Sequence, residues 1–242
     1  MTDRKIALVT GASKGIGAAI AISLAKDGFD IWLNYRSDHE KASEIAETIH
    51  DNGAKCILIP FDVSDINSAS KALDPYLEKE VPYALINNAG FSKDTLLVWM
   101  KQEEWKDVLS VTLDGFFNVT KLVLNYMLRK KQGRIINIAS TSGQSGMPGQ
   151  VNYSAAKSGL IGASKALALE IGKRNILVNV VSPGFIDTEM TKDFLKERVL
   201  MMIPMGRFGK DYEVAQTVSF LCSDKASYIT GQVINVNGGA YM

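Results

Sequence analysis

Lys5-Ile6-Ala7-Leu8-Val9-Thr10 runs directly into Gly11-Ala12-Ser13-Lys14-Gly15-Ile16-Gly17, and this join decides the fold. A continuous apolar run of strand length meets a glycine turn, and a helix-length segment opens at Gly15. The same alternation fills the chain. Strands are expected at 5–10, 29–35, 55–61, 83–87, 133–139, 175–182 and 232–237. Helices are expected at 15–27, 38–52, 65–79, 103–131, 153–172 and 211–223. Most of the strand runs are continuously apolar rather than alternating, which suits parallel strands covered on both faces. Ser37 followed by Glu40 reads as a capping box for the second helix.

Strand–helix alternation of this kind predicts an α/β fold: a Rossmann-type doubly wound sheet of seven mostly parallel strands with helices on both faces. No linker, repeat or low-complexity tract interrupts it, so residues 1–242 read as one domain. With 46% hydrophobic residues the chain can bury a substantial core. A net charge of +1 offers no field for nucleic acid or an anionic membrane. The N-terminal apolar run is too short for a signal peptide, and no window is long and apolar enough for a transmembrane helix. Two distant cysteines, Cys56 and Cys222, read as reduced thiols of a cytoplasmic protein. The two histidines, His39 and His50, lie in a polar early segment, which argues against serine–histidine or histidine–metal chemistry.

In doubly wound sheets, ligands bind outside the carboxyl ends of the strands. The polar residues after the strand runs are therefore the site candidates: the loop from Thr10, Arg36, Asp62, Asn87-Asn88-Ala89-Gly90, Ser140 and Pro183-Gly184. The glycine loop lets a pyrophosphate approach the backbone at a helix N-terminus, where free amides and a partial positive charge favour an anion. The spacing is Gly-x-x-x-Gly-x-Gly, which a plain strand–helix turn could also carry. An acidic residue at the tip of the second strand would suit the ribose of NAD, and a cation suits the 2′-phosphate of NADP. The tip here is Asn34-Tyr35-Arg36-Ser37, and Lys14 lies in the glycine turn. These two cations favour NADP; two solvated surface charges are the other reading. Asp62 and Val63 either meet the adenine or belong to the start of the next helix, for which Ser64 or Asp65 is the better cap.

Tyr153 precedes Lys157 by four residues, a spacing that puts both on one helix face, and Ser140 lies thirteen residues upstream. An ammonium beside a phenol is expected to lower the phenol pKa toward working pH, where proton transfer is most effective. Among eight tyrosines such a pair also arises by chance, as at Tyr126 and Lys130. The upstream serine distinguishes the first pair.

The glycine loop, Asn87-Asn88-Ala89-Gly90, Ser140, Tyr153/Lys157 and Pro183-Gly184 together resemble the short-chain dehydrogenase/reductase family over essentially the whole chain. Within the family, three stretches are most similar to its β-ketoacyl-carrier-protein reductases: 133–140, 183–190 and 228–239. The resemblance implies NADPH-dependent reduction of a 3-oxoacyl thioester on acyl carrier protein, in fatty acid biosynthesis. Ser140 would hold the carbonyl oxygen, Tyr153 would donate the proton and Lys157 would bind the nicotinamide ribose. It implies cofactor contacts at Gly11, Ser13, Lys14, Gly15, Ile16, Gly17, Arg36, Asp62, Val63, Asn88, Ala89, Gly90, Tyr153, Lys157, Pro183, Gly184, Ile186 and Thr188, and no metal. One position departs from the family. Where an asparagine usually assists a water-linked proton relay, this chain has Thr112, which has a hydroxyl but no amide. A relay through a backbone carbonyl tolerates the change; a weakened reductase-like subunit is the reading if it does not. Other carriers, such as a polyketide or polyene assembly line, and acetoacetyl-CoA are alternative substrates.

By resemblance Lys131 and Arg174 match cations that dock an acidic carrier, although cations are stabilising at any helix C-terminus. Ala155, Ala156, Gly159, Gly162, Ala163, Ala166 and Ala168 would allow close helix pairing, and family members form tetramers this way. Segment 187–205 is expected as a lid over the acyl chain, through Met190, Phe194, Leu195, Leu200, Met201 and Met202.

Overall fold

The computed structural model describes residues 4–189 and 196–242. Seven strands form one sheet: β1 (Lys5–Val9), β2 (Phe29–Tyr35), β3 (Cys56–Pro60), β4 (Ala84–Asn87), β5 (Gly133–Ile138), β6 (Ile176–Pro183) and β7 (Val233–Val236). Their order is β3-β2-β1-β4-β5-β6-β7, and every pair is parallel. All carboxyl ends therefore lie along one edge. The order reverses between β1 and β4, which is where such sheets open a ligand crevice.

The apolar runs are continuous because both faces are covered. Along β1, Ala7 and Val9 enter one core layer and Leu8 the other, as the two-residue period of a strand requires. The first layer is closed by α1 (Gly15–Lys26) and α9 (Asp211–Cys222), through Ile20, Leu24, Val214, Val218 and Leu221. α2 (His39–Asp51) adds Ala42 and Ile49 to the same layer. The second is closed by α3 (Ile66–Leu77), α5 (Gly115–Lys130) and α7 (Val151–Ile171), through Leu73, Leu77, Val123, Met127 and Ile171. Each such fully buried side chain contributes about 1.5–3 kcal/mol. No helix among the described residues is long and apolar enough to cross a membrane.

A chain of polar groups crosses the second layer just below the carboxyl edge. Asn87 Nδ2 donates to Asn137 Oδ1 at 2.8 Å and to Thr120 Oγ1 at 3.0 Å; Asn137 Nδ2 donates to Ser164 Oγ at 2.7 Å. Buried polar groups are tolerable only when satisfied. This chain satisfies them while tying β4, β5, α5 and α7 into one register.

Local details differ from the sequence reading in three places. The segment expected as one helix over 103–131 is α4 (Gln102–Leu109), a π turn (Ser110–Asp114) and α5. The wide turn sits where Gly115 packs on Val63; a Cβ there would lie 2.8 Å from Val63 Cγ2. Two short helices were not expected, α6 (Ser142–Ser145) and α8 (Lys196–Leu200). The Ser37/Glu40 capping box does not form. The chain bends one residue further, and Asp38 caps α2, accepting from Lys41 N at 3.2 Å.

The start of α3 distinguishes the acids 62 and 65. Asp65 caps the helix, accepting from Asn67 N at 2.9 Å and Ser68 N at 3.3 Å. Asp62 instead accepts from Ser64 N and Ser64 Oγ and stays at the crevice. Asp65→Ala should lower the unfolding free energy by about 1 kcal/mol and leave cofactor affinity unchanged. Urea denaturation and ligand titration of the same variant check both outcomes.

Candidate active site

A cleft of about 810 Å³ opens along the carboxyl edge at the β1–β4 switch. Its wall contains Gly11, Ser13, Lys14, Gly15, Ile16 and Gly17 from the first loop, Arg36 after β2, and Asp62 and Val63 after β3. Asn88, Ala89 and Gly90 follow β4, Ser140 follows β5, and Pro183, Gly184, Ile186 and Thr188 end β6 or follow it. Tyr153 and Lys157 enter from α7. Every residue expected to touch the cofactor is in this wall, together with Ser140; Thr112 lies behind it.

The glycine loop has the shape a phosphate cradle needs. Gly11 and Gly15 adopt positive φ, +62° and +55°, where side chains are strained. A Cβ on Gly17 would lie 2.4 Å from Gly11 O and 2.5 Å from Asn88 Nδ2. Among the described residues no side chain caps α1 and no acid occupies its first turn, so the positive end of the helix faces the cleft. The loop is braced by Asn34, whose side chain the sequence did not single out, and by Thr10 at its start. Asn34 Oδ1 accepts from Gly11 N at 3.1 Å, and its amide nitrogen donates to Ile59 O and Phe61 O. Thr10 Oγ1 accepts from Asn88 N and Ala89 N at 3.0 and 3.1 Å. One polar residue inside the apolar run of β2 was the available signal for Asn34.

At the other end of the loop three cations gather. Lys14 Nζ lies 3.2 Å from Glu189 Oε2, Lys41 Nζ 3.4 Å from Glu189 Oε1, and Arg36 Nη1 4.0 Å from Asp62 Oδ2. Lys41 and Glu189 were not expected here. Nothing local marks them, because they come from α2 and from the segment after β6.

Tyr153 and Lys157 sit in the first two turns of α7, one turn apart. Lys157 is 3% exposed and donates to Ile138 O at 2.7 Å, tying α7 to the end of β5. Its Nζ lies 5.5 Å from the centre of the Tyr153 ring. Burial pushes the Lys157 ammonium down to about 8. Burial pushes the Tyr153 phenol up to about 12; Ser140 pulls against that rise and Asp94 adds to it. The expectation that Lys157 would lower the phenol pKa is thus not met in this structure. Desolvation disfavours both charged forms and is the largest cause of each shift. Ser140 is itself oriented by Ser142 N, which donates to Ser140 Oγ at 3.2 Å. α6 packs directly on α7: a Cβ on Gly143 would lie 2.7 Å from Lys157 Cβ. The loop before Tyr153 is strapped down by Gln150 Nε2 donating to Asp94 Oδ2 at 2.7 Å.

Thr112 lies in the π turn, buried, and among the described residues its Oγ1 has no hydrogen-bond partner. Gly90 separates it from Lys157: a Cβ on Gly90 would lie 3.8 Å from Thr112 Oγ1 and 3.3 Å from Lys157 Nζ. The other Tyr-x-x-x-Lys pair, Tyr126 and Lys130, is on α5 outside the cleft. Of the segment expected as a lid, Met190, Phe194 and Leu195 lie outside the described residues. Leu200 ends α8, with Met201 and Met202 exposed after it.

A lysine with a lowered folded-state pKa makes the native state bind fewer protons than the unfolded chain between about pH 8 and 10.5. Stability must rise with pH across that window. Relative to Lys157→Met, the ligand-free wild type should gain up to about 3 kcal/mol on going from pH 7 to 10. Urea midpoints of both proteins measured across this range check it. Parallel curves would show that Lys157 does not titrate as a buried lysine.

The family described as enoyl-(acyl carrier protein) reductase matches residues 11–241. The 3-oxoacyl-[acyl-carrier-protein] reductase of Staphylococcus aureus is 46% identical, covering 100% of both chains. Those of Synechocystis and Pseudomonas aeruginosa are each 45% identical and cover 98% of this chain, with 97% and 98% of their own lengths matched. With the sheet order, the glycine loop and the Ser140, Tyr153 and Lys157 constellation on one cleft, these matches establish that the chain belongs to the short-chain dehydrogenase/reductase family.

Proposed function

We propose that this protein is a 3-oxoacyl-[acyl-carrier-protein] reductase of fatty acid biosynthesis, a cytoplasmic single-domain enzyme that uses NADPH. The observation that carries the reading is one cleft with Ser140, Tyr153 and Lys157 at one end and a basic phosphate end at the other, joined by the glycine loop.

In this reading the α1 amides and glycine loop bind the pyrophosphate. Lys14 and Arg36 take the 2′-phosphate, and Asp62 and Val63 flank the adenine. Asn88, Ala89, Gly90, Pro183, Gly184, Ile186 and Thr188 orient the nicotinamide end, and Lys157 binds its ribose. When bound, the reduced nicotinamide supplies the hydride to the ketone carbon. Ser140 holds the ketone oxygen and Tyr153 gives that oxygen its proton, so the C=O becomes CH–OH and a tyrosinate remains. A phenol whose pKa is about 12 stays protonated until the oxygen becomes an alkoxide, which suits an acid. An ammonium near 8 then releases a proton readily to restore it. The unpartnered Thr112 hydroxyl behind Gly90 is available to a water supplying Lys157.

Lys131 and Arg174, exposed cations for an acidic carrier, precede β5 and β6 at the amino edge of the sheet. Ser140 is at the opposite edge, about 20 Å away for a strand of six residues. α7 leaves Ala155, Gly159, Gly162, Ala166 and Leu169 exposed, and α5 leaves Phe117 exposed. Such a face suits helix pairing between copies, as in a homotetramer.

Tyr153→Phe should retain cofactor binding and lose turnover by about 100-fold or more, read from NADPH oxidation with acetoacetyl-CoA. Retained turnover would remove Tyr153 as the acid, and absence of turnover in the wild type with NADPH bound would sink the reductase reading. The double reversal Lys131→Glu/Arg174→Glu should raise KM for a carrier-linked substrate and leave that for the CoA-linked one unchanged. Equal effects on both would exclude a docking patch.

A further inference from the structure

The basic end of the cleft is already neutralised by the protein's own carboxylates. Among the described residues it holds three cations, Lys14, Arg36 and Lys41, and three acids, Asp38, Asp62 and Glu189. A dianionic phosphate cannot gain much from an end that is charge-balanced, so one of the acids must leave.

The three acids are not equally free to do so. Asp38 is the cap of α2 and accepts from Lys41 N. Asp62 accepts from both Ser64 N and Ser64 Oγ, at 2.9 and 2.6 Å. Among the described residues no backbone amide holds the Glu189 carboxylate. It reaches from the segment after β6 to two ammonium groups, Lys14 of the glycine turn and Lys41 of the first turn of α2. Both of its oxygens are engaged, one by each lysine. The Lys14 hydrogen bond first, and the charge of Lys41 after it, hold its carboxyl below the usual range, so it is anionic at neutral pH. A carboxylate on the wall that also carries Lys14 and Arg36, bridging Lys14 to Lys41 behind it, occupies the position of an anion.

Building on the NADPH reading above, we propose that Glu189 is an internal competitor for the 2′-phosphate. A 2′-phosphorylated dinucleotide displaces it from Lys14 and Lys41, and Lys41 joins Lys14 and Arg36 as a third cation selecting that phosphate. A dinucleotide lacking the phosphate offers nothing in exchange and leaves the Glu189 bridge in place. Glu189 and Lys41 thereby set the discrimination between the two cofactors without touching the reacting atoms.

The pairs are solvent-exposed and individually weak, so the effects are a few-fold and fade with salt. The experiment is equilibrium titration of wild type, Glu189→Gln and Lys41→Gln with NADPH and with NADH, following nicotinamide fluorescence. Glu189→Gln should tighten NADPH roughly three- to tenfold and change NADH by less than about twofold, the gain shrinking at high ionic strength. Lys41→Gln should weaken NADPH severalfold and spare NADH. A wild-type preference for NADPH that Glu189→Gln leaves unchanged, or that it lowers, overturns the competitor role alone. Lys41→Gln with no effect on NADPH overturns the third cation. A wild type with no preference for NADPH overturns the cofactor reading and this inference with it.

Discussion

The site depends on one buried ammonium. Lys157 is withdrawn from water and donates to the Ile138 carbonyl at the end of β5. An ion in that environment is expensive unless its neighbours satisfy it, so everything around it is constrained. Gly143 has no room for a side chain beside the lysine stem, and Gly90 has little beside the nitrogen. Tyr153, one helical turn earlier, is half-buried where the cleft meets it. Burial pushes both groups toward their neutral forms.

Charge is handled differently at the two ends of the cleft. At the tyrosine end charged forms are disfavoured by burial. At the phosphate end Lys14, Arg36, Lys41 and Glu189 are solvated and matched in pairs. The α1 amides between them carry no compensating acid. The cleft thus runs from a solvated, charge-matched mouth, across an uncapped helix terminus, to a desolvated corner at Lys157. A dinucleotide with phosphates toward one end and a reactive ring at the other matches that gradient.

The fold was largely legible because its determinants are local or periodic. Continuous apolar runs reported that both sheet faces are covered, and the glycine turn reported a backbone that side chains would block. The Ser140, Tyr153 and Lys157 spacing reported a shared corner because one strand end and two helical turns fix it. Asp38 replaced Ser37 as a cap through a bend of one residue, a difference too small for pattern to resolve. The π turn at Ser110–Asp114 depends on Gly115 meeting Val63, a contact between distant segments. Lys41 and Glu189 are 148 residues apart and meet only at the assembled edge.

The sequence by itself determined the order of strands and helices, the sheet edge on which the cleft opens and the side chains that meet in it. These follow from hydrophobic period, glycine geometry and helical spacing, which act over a few residues. Tertiary structure alone decided the protonation state of the site and the balance of charge at its mouth. Desolvation depends on how many segments close over a group, and an ion pair depends on which remote segments arrive beside it. Tyr153 next to Lys157 suggested a lowered phenol pKa on paper; in the folded chain, burial reverses the sign.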